Sequence, residues 1–192
     1  MSGSTPICKL CGMQGPLVES HIIAKSLYER EGYKSPSLII SDKAFPRRSR
    51  TGVYDKIVCD SCEQLFGPWD QYGKELLLKT THKTHESMAG NFKIAYRIIE
   101  NVDYAKLKLF FMSLLWRAHA SDDPFFKRVK LGPHELKLKD SIRSSTPLYA
   151  DDFAVHIARF DVEGKTGMLE PHAQRFDGVN YSILHCGIHL LH

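Results

Sequence analysis

Two Cys-x-x-Cys pairs, Cys8-Lys9-Leu10-Cys11 and Cys59-Asp60-Ser61-Cys62, constrain this chain more than any other feature of its sequence. Each pair presents two thiolates from one turn as a chelating corner, and two such corners supply the four soft ligands of tetrahedral zinc. Gly12, directly after the first pair, gives that turn a residue tolerant of positive φ. The second pair precedes a segment of helical character, and a helix N-terminus favours the anionic sulfur. Four ordinary buried thiols or a redox pair are the competing readings, but two such pairs in a chain with five cysteines favour one shared metal. Four sulfur ligands leave no open coordination position, so the expected zinc is structural rather than catalytic. The fifth cysteine, Cys186, lies in a strand-forming stretch and is expected to pack in a core.

The rest of the composition bounds the class. A chain of 192 residues, 43% hydrophobic and 25% charged, can build a core without disulfides and is not broadly disordered. Its net charge of +4 permits nucleic-acid binding without requiring it. Residues 1–6 are polar and no signal-like apolar run follows them. The richest apolar stretch, residues 107–116, contains Lys108 and is too short to cross a bilayer. The expectation is a cytoplasmic protein with no membrane attachment. In that reducing compartment paired cysteines are metal ligands before they are disulfides. A homo-oligomer is compatible with the sequence but not indicated by it.

Along the chain, residues 17–23 read as a strand that carries His21, and residues 35–50 as a loop with a short strand at Leu38-Ile39-Ile40. A helix over 63–79 must place Gly67-Pro68 in its first turns or break there. Residues 80–87, with His82 and His85, read as an exposed connection. The clearest helix covers 103–119: Leu107, Phe110, Phe111, Leu114, Leu115 and Ala118 share a face, and Asp103 is its N-cap. Another helix is expected over 133–144. Partial alternation at 153–160 and strand formers at 181–191, with a turn around Glu163-Gly164-Lys165, predict a small antiparallel sheet. The class is α+β: a zinc-stapled N-terminal module over 1–87, and an α+β subdomain over 88–192 packing on it.

A knuckle, a strand bearing a histidine, and a second cysteine pair opening a helix describe a treble-clef, ββα-like arrangement. With Ser20-His21-Ile22-Ile23 followed by Val58-Cys59-Asp60-Ser61-Cys62-Glu63, residues 7 to about 75 resemble the HNH, or His-Me finger, endonucleases. The resemblance implies hydrolysis of DNA phosphodiester bonds, with His21 as general base and Glu63 as a ligand to one catalytic magnesium or manganese ion. That family has Asp or His where this chain has Ser20; Glu19, Asp60 and Asp70 are candidates to supply the missing carboxylate. His21 packed beside the zinc as a structural residue, and Glu63 merely complementing a helix dipole, are the competing readings. Ser20-His21-Ile22-Ile23-x-Lys25 together with Ser113-Leu114-Leu115-Trp116-Arg117-Ala118 also resembles a group of bacterial HNH-like proteins, which implies no substrate.

Lys43, Arg47, Arg48 and Arg50, between the cysteine pairs, are candidate phosphate contacts to DNA. The remaining histidines show no metal-like spacing. A non-catalytic zinc module recognising nucleic acid or a protein partner is the alternative function. A toxin or bacterial defence effector would share the nuclease chemistry.

Overall fold

The helix that apolar spacing places over 103–119 forms as Tyr104–Ala120. The computed structural model describes residues 5–28, 37–41, 44–49, 51–79, 83–155, 165–176, 178–183 and 188–190. In chain order it contains β1 (Val18–His21), β2 (Ser37–Ser41), β3 (Ala44–Ser49) and β4 (Tyr54–Val58). Helix α1 (Asp60–Lys74) then runs into a π-helical turn (Glu75–Lys79). Next come β5 (Thr84–Ala89), β6 (Phe92–Arg97), α2 (Tyr104–Ala120) and α3 (Glu135–Ser144). The chain continues through β7 (Lys165–Leu169), β8 (His172–Phe176), β9 (Val179–Ile183) and β10 (Ile188–Leu190). This is an α+β protein with small sheets. No helix among the described residues is long and apolar enough to cross a membrane.

Asp103 caps α2 as expected, accepting the Lys106 amide at 3.1 Å. The helix is buried on more than the one face its apolar residues define: Leu109, Met112, Ser113, Trp116 and Arg117 are buried as well. The reason is that α1 packs along one flank while α3 packs along another. Gly73 lets α1 come close, since a Cβ there would lie 2.7 Å from the Phe110 ring. One buried cluster runs from Cys8 and Leu10 through Ile22, Ile57, Phe66 and Trp116 to Leu138 and Ile142.

Helix α1 begins at Asp60, three residues before the expected start, because Cys59 already serves as its N-cap. Pro68 lies inside it without ending it. Gln64, Gly67 and Pro68 are all exposed, so water can satisfy the carbonyl that proline leaves without an amide.

The sheets are small: β1 pairs β4 antiparallel, β5 pairs β6, β8 pairs β9, and a four-stranded sheet has the order β10-β7-β2-β3. Three expectations are corrected. The strand expected at Leu38-Ile39-Ile40 forms within β2, but residues 44–49 pair with it as β3 rather than continuing a loop, with Ile39 buried opposite Arg47. Residues 84–87 belong to the β5–β6 hairpin rather than to a connection. Residues 153–155 are not strand: Phe153 has φ 51°, and Lys108 Nζ donates to the carbonyls of Ala150, Asp152 and Phe153, the last at 3.0 Å. Carbonyls gathered on an ammonium are turned away from any ladder. The tail sheet also departs from a purely antiparallel one, since β7 pairs β2 in parallel, Ile39 opposite Met168. Residues 156–160, the first two of the turn at 163–165, His82 and Cys186 lie outside the described residues.

Two polar clasps join the cysteine-bearing end to α2. Lys9, between Cys8 and Cys11, donates to the Ala120 carbonyl at 2.8 Å and to Asp122 at 2.7 Å, a cation placed at a helix C-terminus. Asp55 of β4 accepts the Ser121 hydroxyl at 3.0 Å and the Asp122 amide at 2.8 Å. Partial burial works against the Asp55 charge, but the Asp122 amide, the Ser121 hydroxyl and the Lys56 amide outweigh it and hold its carboxyl below the ordinary value. Asp55→Ala is therefore expected to cost about 1–2 kcal/mol near neutral pH. A depressed folded pKa contributes stability above the unfolded value of about 3.9 and loses it as pH falls through the folded one. Urea titrations should show the wild-type advantage at pH 7 shrinking in acid; an advantage independent of pH would remove the carboxylate from this role.

Candidate metal centre and histidine site

The first cysteine pair sits on a tight knuckle. The Cys8 amide donates to the Met13 carbonyl at 2.9 Å, the Gly12 amide to the Cys8 carbonyl at 2.8 Å, and Gly12 takes φ 78°. The second pair spans the start of α1, where the Cys62 amide donates to the Cys59 carbonyl at 3.1 Å. The β1–β4 pair lies between them in sequence and brings Cys59 beside the knuckle: the Lys9 amide donates to the Ile57 carbonyl at 2.9 Å.

The four sulfurs of Cys8, Cys11, Cys59 and Cys62 all lie within 4.8 Å of one another, a group that can hold a metal ion. Cys11 Sγ and Cys59 Sγ are 3.8 Å apart. Bonds of about 2.3 Å from sulfur to a tetrahedral zinc imply sulfur separations of about 3.8 Å. The Cys8 sulfur also receives the amides of Cys11 at 3.5 Å and Cys59 at 3.4 Å, as suits a thiolate. The Ser61 hydroxyl, then the Cys62 amide, pull the Cys59 thiol down to about 6. Burial and then the neighbouring thiols push Cys62 up. Crowded thiols resist sharing negative charge, and a bound cation removes that conflict. Among the described residues, no other group of three or more His, Cys, Asp or Glu closes on itself in this way.

His21 ends β1, opposite Tyr54 of β4, whose ring meets the imidazole edge-on at 5.9 Å between centroids. Its Nε2 lies 3.0 Å from the Thr51 carbonyl oxygen. A carbonyl only accepts, so Nε2 carries a proton, and in the neutral imidazole Nδ1 is the acceptor. The preceding residue, Ser20, is fully buried, and among the described residues its Oγ makes no hydrogen bond of ordinary geometry.

Glu63, in the first turn of α1, is near both. Burial pushes its carboxyl pKa up; the Ser20 hydroxyl, Arg117 and His21 ease it down, while Asp70 raises it. Its Oε2 is enclosed and, like Ser20 Oγ, makes no hydrogen bond of proper geometry. Of the three candidates for an extra carboxylate, Asp70 has both oxygens on Arg117, at 3.0 and 2.7 Å. Asp60 accepts from Gln64 at 2.7 Å on the exposed side of α1, and Glu19 is exposed.

Of the basic residues, Arg48 is exposed on β3 and Arg47 lies on the same strand, whereas Lys43 and Arg50 lie outside the described residues. Two contributors escaped the sequence reading. Thr51 acts through its carbonyl, which no side-chain pattern reveals. Arg117 did leave a signal: an arginine among the apolar residues of a buried helix requires a partner. Compared with family models, with curated proteins and with solved structures, the chain finds no match.

Proposed function

We propose that this chain is a metal-dependent DNA endonuclease of the HNH type, with a structural zinc on Cys8, Cys11, Cys59 and Cys62. The knuckle, the β1–β4 pair and α1 opening on the second cysteine pair support a treble-clef reading of the N-terminal module. The observation that carries the reading is His21, its Nε2 held by the Thr51 carbonyl, near two enclosed oxygens, Ser20 Oγ and Glu63 Oε2, that make no hydrogen bond of ordinary geometry among the described residues. Buried polar atoms rarely stay unpaired, and two converging oxygens are the donor type that magnesium and manganese prefer.

His21 Nδ1 accepts a proton from the attacking water, and the Thr51 carbonyl holds the ring in the required tautomer. Glu63 and Ser20 would hold the divalent cation, which would neutralise charge on the scissile phosphate and stabilise the leaving oxygen. Lys43, Arg47, Arg48 and Arg50 would contact backbone phosphates and position the DNA. Incubating the protein with supercoiled, single-stranded and branched DNA, with and without manganese, tests the activity. Metal-dependent nicking is expected; no cutting of any substrate with manganese hands the function to the second reading.

That second reading is a non-catalytic zinc module that recognises nucleic acid or a protein partner. Ser20 favours it, since a hydroxyl is a weaker metal ligand than the Asp or His of the family.

The nuclease reading, and the second one where its ligand is nucleic acid, both use these basic residues. Replacing Arg47, Arg48 and Arg50 together by Ala should weaken DNA binding equally for all sequences. It should also lower the slope of log affinity against log salt by about 1 for each phosphate that an arginine no longer neutralises. Binding measured from low to high salt that keeps the wild-type slope clears these residues.

A further inference from the structure

Arg117 of α2 is fully buried, which for a permanent cation demands complete pairing. All five of its N–H groups are used. Nε donates to the Ser113 carbonyl at 3.4 Å, and Nη2 to Asp70 at 2.7 Å and Ser113 Oγ at 3.2 Å. Nη1 donates to Asp70 at 3.0 Å and to the His21 carbonyl at 2.8 Å. The guanidinium also lies 4.7 Å from the centroid of the Phe66 ring. One side chain thus ties α2 to α1 and to the last residue of β1.

We propose that Arg117 is the positioning residue for His21, with Asp70 as its aligning partner rather than a metal ligand. The His21–Ile22 peptide is held on both sides, its carbonyl by Arg117 and its amide by the Val53 carbonyl at 3.0 Å, while the imidazole is held by the Thr51 carbonyl. The Arg117 bond completes the clamp on that peptide plane, whose rocking would carry the whole side chain with it. A misplacement of about 1 Å at a reacting group costs on the order of 100-fold in rate. Lysine cannot replace the fork: an ammonium is a point donor and cannot meet the Asp70 carboxylate in two parallel bonds while reaching the His21 carbonyl. The catalytic part of this inference rests on the nuclease reading; the geometric part does not.

The test compares Arg117→Lys with the wild-type full chain by manganese-dependent plasmid nicking, zinc content, thermal melting and the His21 carbonyl 13C and imidazole NMR resonances. Expected are retained zinc, a cooperative melt, shifted His21 resonances, and kcat lower by about 10- to 100-fold at unchanged KM. Wild-type kcat with unmoved His21 resonances overturns the proposal. So does a loss confined to KM, which would mean that Arg117 supports the DNA-binding surface rather than aiming His21. If the wild-type protein does not cut, the nuclease reading falls and the His21 resonances alone decide the positioning role. Should Arg117→Lys not fold, Arg117→Gln combined with Asp70→Asn removes both members of the buried ion pair together and carries the same measurements.

Discussion

Cys59→Ser protein is expected to purify without zinc and to lose the fold of its N-terminal third. The elements around the site are too small to persist alone: a two-stranded sheet, a knuckle and the first turn of α1. Binding to a structural zinc site is worth about 10–16 kcal/mol in small zinc peptides, as much as the whole stability of a typical domain. Serine keeps the residue-59 amide and is itself a favoured N-cap for α1, so the expected loss is that of the metal ligand alone. The helices α2 and α3 pack against each other, and part of the helical circular dichroism should survive. Metal analysis of fresh protein decides the matter. Wild-type protein with no zinc, or Cys59→Ser protein with a full zinc complement, would sink the site.

His21→Ala is expected to abolish cleavage while leaving zinc content and melting temperature close to wild type. Removing a positioned base costs about 10²–10⁴-fold in rate. Little else should change, because the imidazole is only half-buried and its contacts among the described residues are the Thr51 carbonyl and the edge of Tyr54. The same role requires wild-type activity to fall toward acid pH, since a protonated imidazole has no lone pair at Nδ1. Steady-state nicking across pH, for wild type and variant, reads both effects. Cutting by His21→Ala at the wild-type rate places the active site elsewhere in the chain.

What could be read from the sequence was local. Cys-x-x-Cys is a single turn, so its spacing alone defined both corners of the metal group, and only their meeting needed the fold. Helix α2 announced itself through apolar spacing and the Asp103 cap. The β5–β6 hairpin has a local signal too, one that the histidines and polar residues before it obscure. Gly90-Asn91 forms a two-residue turn between Ala89 and Phe92, with Phe92, Ile94 and Tyr96 alternating behind it. Other features could not be read. The parallel pairing of β2 with β7 joins segments more than a hundred residues apart, and no residue pattern specifies such a partner. The bond between Arg117 and the His21 carbonyl engages only the backbone on the β1 side, so no residue type betrays it.

Arg117 follows Cys62, the last of the four sulfurs, by 55 residues. A ribosome adds about 5–20 residues per second, so for several seconds of synthesis the nascent chain owns its metal corner but not the guanidinium that sets His21. Translation that stops in this interval releases a polypeptide able to capture zinc and unable to hold its histidine in place. On the nuclease reading, a message broken in this interval therefore yields a fragment with its histidine unaimed, a far poorer cutter of DNA than the finished chain.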